Sequence, residues 1–534
     1  MDEDSTMNRL VTIGQSSSKG GERGSCRALL SQDSVAKEPG DVFREECGLM
    51  GVWNHREAAN LCYLGLYAQQ HRGQEGAGVV ALTHEPESLM RVHRGLGLVA
   101  EVFNKFDFSK LPGSYAIGHV RYTTAGSNIL ANVQPFQAHI SLGPVAVAHN
   151  GNLINTDSLK EELIREGAIF NSTSDTEVLL HLLARTPRKS GSRDTFVVEA
   201  VVGALQKIKG AYSLLIFFED RIFAVRDPHG FRPLSLGKLN GAYILASETC
   251  AFDLIGAEFV RDIAPGELVE INLKGEVKSF FPFGVNRESP CVFEYIYFAR
   301  PDSRVFGRNV YRVRRQLGAE LAREHPVEAD LVIPVPDSGV TAALGYAEES
   351  GLPMELGLIR NHYVGRTFIE PKQSIRDFGV KIKHNANAEV LRGKSVVVVD
   401  DSIVRGTTSR KLIAMLRAAG ARELHLRVSA PPTIDPCYYG IDTPQKDELI
   451  AAQKSLTEIK EYLGVDTLAY LSVDGMYRAV RNASDAPGDA CGEQPSGVPR
   501  SAGAEGRGFC DACFTGKYPV GTPAQFGKKQ TDLL

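Results

Sequence analysis

Apolar and polar positions are distributed unevenly along this chain, and the shifts in their pattern mark out its parts. Residues 1 to 46 contain GQSSSKGGERGS and few apolar side chains, a composition that predicts a disordered leader. At Cys47 the pattern changes at once: Cys47-Gly48-Leu49-Met50-Gly51-Val52-Trp53 reads as a strand. Between Gly210 and about Lys278 short β-like runs alternate with turns, as YSLLIFF, RIFAVRD, AYILAS and ELVEINL. A boundary falls around Pro282 to Pro290. Beyond it, Asp330 to Val335 and Val396 to Val399 are apolar without alternation, which suits strands buried on both faces of a parallel sheet. The segment RKLIAMLRAAGA reads as an amphipathic helix ending near Gly420, and the Gly/Ser/Pro-rich stretch from Ala483 to Gly508 as a linker.

Length sets the number of cores. The chain has 534 residues, so two or three domains are expected. With 43% hydrophobic and 23% charged residues, it is an ordinary globular composition. A formal net charge of −4 gives no reason to expect nucleic acid or a membrane surface as partner. No apolar run reaches about 18 residues, and the start has no signal-peptide core, so a cytoplasmic protein is expected. Nine scattered cysteines do not resemble a secreted disulfide framework.

The first candidate chemistry lies in Ser395 to Ser409, SVVVVDDSIVRGTTS. After the buried valines come Asp400 and Asp401, then small and hydroxyl residues, then a helix N-terminus. Ligands of open α/β sheets sit outside the carboxyl ends of the strands. Free N–H groups at a helix start favour a phosphate, and a carboxylate pair suits vicinal hydroxyls or a magnesium ion. A ribose with a 5′-phosphate satisfies every part; an ordinary strand–turn–helix with a solvated acidic pair is the plain alternative. The run resembles the phosphoribosyl-pyrophosphate (PRPP) loop of type I phosphoribosyltransferases. The resemblance implies that Asp400 and Asp401 hold the ribose hydroxyls and help bind Mg2+. It also implies that Ser402, Arg405, Gly406, Thr407 and Thr408 belong to the PRPP-binding loop, which wraps the 5′-phosphate from Arg405 to Ser409.

Cys47 raises a second possibility. With the leader removed, its own α-amino group, of pKa about 8, can act as general base for its thiol; a buried small hydrophobe is the plain alternative. Further along stand Gln70-His71-Arg72-Gly73-Gln74-Glu75, Gly118-His119-Val120-Arg121-Tyr122-Thr123-Thr124, Ala148-His149-Asn150-Gly151-Asn152 and Ser172-Thr173-Ser174-Asp175-Thr176-Glu177. With CGLMGVW, these five motifs resemble, in order, the class II N-terminal-nucleophile glutamine amidotransferases. Glutamine is a zwitterion, so its site needs a cation and an anion, which Arg121 and Asp175 can supply. Attack by Cys47 on the amide makes an oxyanion that needs preorganised donors. The family match gives these as the Asn150 amide and the Gly151 N–H, and places Arg72 where it shapes and closes over the glutamine site. Asp227-Pro228-His229-Gly230-Phe231-Arg232-Pro233-Leu234 reads as a turn.

The run Asp330 to Val335 leads into Pro336-Asp337-Ser338-Gly339, a turn able to seat a pyrophosphate. By resemblance Asp337, Ser338 and Gly339 bind PRPP there and Ser338 contacts the metal. The basic stretch from Arg360 to Asn385, with Arg366 and Lys383, suits a lid over an anionic substrate or a solvated loop. Near the end, Cys510-Asp511-Ala512-Cys513 is open to reading as a redox pair, half a zinc site or half an iron–sulfur site.

The segment Cys291 to Ser303, CVFEYIYFARPDS, is close to the amidophosphoribosyltransferase family, and the resemblance covers nearly everything from Cys47 to Pro519. It implies an α+β glutaminase domain of four αββα layers followed by an α/β type I phosphoribosyltransferase domain. The expected boundaries are 1–46 leader, 47–285 glutaminase, 286–480 transferase, and 481–534 linker and cluster-binding tail. It further implies a structural [4Fe–4S] cluster on Cys291, Cys437, Cys510 and Cys513, with zinc the strongest rival. Cys26, Cys62, Cys250 and Cys491 stay unassigned. The reaction implied joins glutamine, PRPP and water into 5-phosphoribosylamine, glutamate and pyrophosphate, the committed step of purine synthesis, with internal ammonia transfer. A homotetramer inhibited by purine nucleotides is expected, and a silent PRPP-binding regulator is the alternative of a different class.

Overall fold

The computed structural model describes residues 47–84, 88–122, 128–186, 192–284, 286–361, 384–483 and 508–525. The leader, Arg366, Lys383, Cys26 and Cys491 lie outside the described residues.

The strand Gly48–Trp53 is buried along its whole length because it runs through the middle of a sheet. Its neighbours are Tyr115–Arg121 and Ala242–Ala246, both antiparallel. The full order is Glu258–Asp262, Ser235–Leu239, Ala242–Ala246, Gly48–Trp53, Tyr115–Arg121, Gly76–Thr83, Leu89–Leu96. Period-two alternation divides the strand's side chains between two cores. Leu49 and Trp53 face a second sheet, while Met50 and Val52 face the helices Ala58–Ala68 and Cys250–Ile255.

The second sheet has the order Val277–Phe280, Leu268–Asn272, Arg221–Arg226, Gly210–Phe218, Gly143–Leu153, Phe136–Ile140. Its Ala146, Ala148, Leu215 and Phe217 meet the first sheet. Its other face, including Val145, Val147, Leu214 and Ile216, is covered by Glu177–Ala184 and Arg193–Leu205. Two sheets between two helical layers are the four-layer αββα glutaminase arrangement expected from the motifs.

A parallel sheet follows, in the order Leu331–Pro334, Ser395–Asp400, Glu423–Val428, Thr467–Tyr470. The four valines are no more than 1% exposed. Val397 and Val399 meet the side formed by helices Val310–Glu324, Val340–Ser350 and Val473–Asn482. Val396 and Val398 meet the side formed by Thr407–Ala418 and Leu456–Leu463. Burial on both faces is why the run does not alternate. Helices Val310–Glu324 and Val340–Ser350 approach closely enough that a Cβ on Gly318 would lie 1.8 Å from the Ala342 carbonyl oxygen.

Both sheet systems lie within Asp41–Leu534, which forms one compact unit. Between them the chain passes Cys291 and a π-helical turn, Glu294–Phe298. The C-terminal segment returns to this junction, where Cys510 forms a parallel bridge with Cys291. Among the described residues no helix is long and apolar enough to cross a membrane.

Candidate functional site

Cys47 is 6% exposed, and its thiol donates to the Tyr122 carbonyl at 3.7 Å. Burial pushes the thiol up to about 11; the Tyr122 carbonyl and Arg121 pull it down, and Asp175 and Glu75 push it up. Arg121 is brought there by register, since Gly48 opposes Val120. Gly73 lets the preceding turn pass: a Cβ there would lie 2.7 Å from the Arg121 backbone nitrogen. Asp175 is fixed from several sides. The Leu153 N–H donates to its Oδ2 at 2.9 Å, the Thr176 hydroxyl to its Oδ1 at 3.1 Å, and His149 Nδ1 lies 3.6 Å away. Burial raises its pKa, but His149 and these hydrogen bonds outweigh that and hold it below the usual value.

Asn150 is wholly buried, and its Nδ2 donates to the Ser247 hydroxyl at 3.3 Å. The same oxygen accepts the Leu49 N–H at 3.0 Å. Ser247 therefore ties the Asn150 strand to the strand that Cys47 heads. Gly151 has φ +142°, and a Cβ there would lie 2.1 Å from the Ala211 carbonyl oxygen. Beneath them His119 bonds the His149 carbonyl at 3.0 Å, and burial pushes its pKa down to about 3, so it is neutral. Sequence reading missed Ser247, the last residue of the run AYILAS, which reads only as a strand.

The Arg72 guanidinium is held by two buried carboxylates, donating from Nε to Glu248 and from Nη2 to Glu294 at 2.5 Å. The Arg72 stem reaches the nucleophile strand, with Cδ 3.4 Å from where a Cβ on Gly48 would be. The chain of charges extends at both ends. Glu248 takes His71 at 2.7 Å, the Ser303 hydroxyl at 2.7 Å and the Arg300 N–H at 2.9 Å. Glu294 has Arg232 Nη1 at 3.6 Å. Arg232 is fully buried, which lowers its pKa; Cys291, Glu294 and Cys437 more than offset this. These partners are far apart in sequence: His71, Arg232 and the trio Glu294, Arg300 and Ser303 lie in separate quoted segments, and Glu248 in none.

In the second half, Asp400 ends its strand and Asp401 follows, at 7% and 5% exposure. The Asp401 N–H donates to Asp400 Oδ1 at 3.0 Å and the Ser402 hydroxyl to Asp401 Oδ2 at 2.7 Å. Gly406 has φ +78° and caps the helix that starts at Thr407, with Thr408 in its first turn. Arg405 closes this loop onto Glu448, its Nη2 donating at 3.0 Å. Arg314 is buried behind the acidic pair, and burial pushes its pKa down to about 10 against the pull of Asp401. Asp337 is exposed and paired with Arg360. Ser338 follows it, and Gly339 sits where a Cβ would lie 2.4 Å from the Val399 carbonyl oxygen. Strand-end register thus brings the Asp337–Gly339 turn beside Asp400, since Pro334 opposes Val399.

Cys291, Cys437, Cys510 and Cys513 gather at the junction, where each of the last three is influenced by Cys291. Burial is the main cause raising the Cys437, Cys510 and Cys513 thiols, with the neighbouring cysteines adding to it. Among the described residues no group of three or more His, Cys, Asp or Glu side chains is drawn together as a single metal ion would require. Cys62 and Cys250 are buried thiols elsewhere, raised by burial.

Residues 119–253 match the family described as glutamine amidotransferase domain, and residues 307–449 that described as phosphoribosyl transferase domain. Amidophosphoribosyltransferase 1, chloroplastic, of Arabidopsis thaliana is 51% identical over 89% of this chain and 79% of its own length. Amidophosphoribosyltransferase of Bacillus subtilis is 48% identical over 90% of this chain and 95% of its own. A solved structure of the B. subtilis glutamine PRPP amidotransferase, complexed with ADP and GMP, superposes with a TM-score of 0.78 at 47% identity. It covers 89% of this chain and 98% of that one. Another, described as the allosteric regulatory enzyme of purine biosynthesis, gives 0.79 at 46% identity over 91% of this chain and 100% of that one. With both domains present in order and relatives at half identity over nine-tenths of its length, the chain belongs to the amidophosphoribosyltransferase family.

Proposed function

We propose that glutamine is cleaved at Cys47 and that PRPP is aminated beside Asp400 and Asp401. The family reaction converts glutamine, PRPP and water into 5-phosphoribosylamine, glutamate and pyrophosphate. The observation that carries the assignment is that Arg121, one strand over from Cys47, and Asp175 lie near enough for their charges to act on its buried thiol, with Asn150 linked to the same strand through Ser247. Arg121 pairs the substrate α-carboxylate and Asp175 its α-ammonium. Cys47 attacks the side-chain amide, and the Asn150 amide and Gly151 N–H stabilise the oxyanion. Ammonia leaves, and water then hydrolyses the γ-glutamyl thioester. A thiol pushed up to about 11 is a poor nucleophile at neutral pH. An adjacent base is therefore needed, and removal of the 46-residue leader would supply it as the α-amine of Cys47.

In the transferase half, Asp400 and Asp401 hold the ribose hydroxyls, and the loop Ser402 to Thr408 takes the 5′-phosphate on its N–H groups. Asp337, Ser338 and Gly339 receive the pyrophosphate. Two carboxylates and the Ser338 hydroxyl are all-oxygen donors of the kind Mg2+ takes together with substrate phosphates. When bound, the ion would stabilise the departing pyrophosphate.

The family resemblance favours a [4Fe–4S] cluster over zinc on the four cysteines, whose thiols act on one another at the junction. Buried Arg232 offers a positive charge beside it. All the described cysteines are free, as a reducing cytoplasm would keep them. A homotetramer inhibited by purine nucleotides completes the proposal.

Glutamine-dependent pyrophosphate release tests it. Cys47→Ala is expected to abolish release with glutamine and to preserve it with ammonia. Loss of both together would refute the division of labour.

A further inference from the structure

The strand carrying Asn150 and Gly151 is gripped from the other half of the protein. Asn152 Nδ2 donates to the Tyr438 carbonyl at 3.0 Å. A Cβ on Gly440 would lie 3.0 Å from the Gly151 Cα and 3.1 Å from its carbonyl carbon. Gly440 has φ +113°, a conformation open to glycine, so the backbone of the second half lies directly on the glycine whose N–H is proposed to hold the oxyanion.

The gripping segment is itself held from both sides. The Cys437 N–H donates to the Thr443 hydroxyl at 2.7 Å, and the Tyr439 N–H to Cys437 Sγ at 3.3 Å. The Tyr439 ring packs against Phe231, tilted by 31° with the ring centres 4.6 Å apart. Its hydroxyl donates to the Gly521 carbonyl at 2.8 Å and accepts the Val520 N–H at 3.0 Å. The segment thus joins the cysteine site and the C-terminal tail to the strand of the glutamine site.

We infer that Tyr438–Gly440 is a positioning element for the glutamine half-reaction, fixing the Gly151 N–H through backbone contact at Gly440 and the Asn152–Tyr438 hydrogen bond. This rests on the proposed oxyanion role of Asn150 and Gly151. An oxyanion donor works only within a narrow range of positions, so a shift of a few tenths of an ångström at Gly151 slows the acyl step without touching the groups that bind glutamine. The same contact links the seating of Cys437 to the rate at the other site.

Gly440→Ala in the processed holoenzyme is expected to lower kcat with glutamine about tenfold, with KM for glutamine changed less than twofold. Synthesis with ammonia, iron content and the rate of Cys47 alkylation by iodoacetamide should all stay at the parent values. Asn152→Ser removes the hydrogen bond without adding bulk and should lower the same kcat to a smaller degree. This second variant decides the matter if Gly440→Ala loses iron or does not fold. An Asn152→Ser enzyme with parental kcat, or with glutamine and ammonia rates falling together, overturns the inference. Asn150→Ala is the control for the underlying reading. If it leaves glutamine hydrolysis intact, the oxyanion assignment itself has failed. If it abolishes hydrolysis while the Asn152 and Gly440 variants behave as parent, only the positioning role has failed.

Discussion

Arg72 and Glu294 meet at 2.5 Å across the junction of the two halves, with side-chain exposures of 1% and 0%. Glu294 serves both Arg72 and Arg232, and removing a member of such a buried ionic group typically costs about 3–5 kcal/mol. Glu294→Gln is therefore expected to lower the unfolding free energy by about that amount, read from the urea midpoint of the first transition. The double replacement Arg72→Met with Glu294→Leu should not recover the loss, because it also takes Arg72 from buried Glu248 and Glu294 from buried Arg232. An unchanged midpoint in Glu294→Gln would mean that the pair does not hold the junction.

Glu248 adds an acid-sensitive component. Burial raises its pKa, but Arg72, His71 and the hydrogen bonds around it win, and the folded value lies well below the ordinary 4.5. A carboxylate lowered on folding contributes stability that is fully present above its unfolded pKa and is lost as pH falls below it. The unfolding midpoint should therefore decline as pH drops from about 5 to about 3. Glu248→Gln should be less stable at neutral pH and show a shallower decline, and parallel declines would rule Glu248 out as the cause.

The thiol of Cys47 gives a test of processing. With the leader attached, alkylation by iodoacetamide should rise about tenfold per pH unit from about pH 8 to about pH 10, tracking the thiolate. Once Cys47 is N-terminal, the amine beside it should make the residue react near neutral pH. Intact mass reports which form is present. The same pH profile for both forms would remove the case for the amine as base.

For PRPP, Asp400→Asn and Asp401→Asn should each weaken binding about tenfold or more, since each removes a charged acceptor. Calorimetry with PRPP and Mg2+ reads the change. Unaltered affinity in both would place the ribose elsewhere.

Anaerobically purified protein should carry about four irons and four sulfides per chain, and Cys437→Ser should lose them. Zinc in place of iron in the parent protein would decide for the rival metal.

Much of this could be read from the sequence where the chemistry is local. Asp400, Asp401 and Gly406 sit within a few residues of a four-valine strand, so their joint placement follows from one strand–loop–helix unit. Cys47 and Arg121 belong to separate motifs, yet strand pairing brings them side by side as the family order implies. The buried partners of Arg72 could not be read locally, because Glu248 and Glu294 lie more than 170 residues away in the chain. Gly440 could not be recognised either, because its role lies in the backbone of Gly151, and nothing local marks a glycine for such a contact.

The bridge between Cys510 and Cys291 has a consequence for biosynthesis. Both sheet systems emerge from the ribosome before the tail that carries Cys510 and Cys513, so each can fold while the junction still lacks its Cys510–Cys291 backbone pairing. Docking of the tail then becomes the closing event of assembly. A chain truncated during translation would keep two nearly complete catalytic halves without the seam that joins them, leaving apolar junction surface open to quality-control proteases.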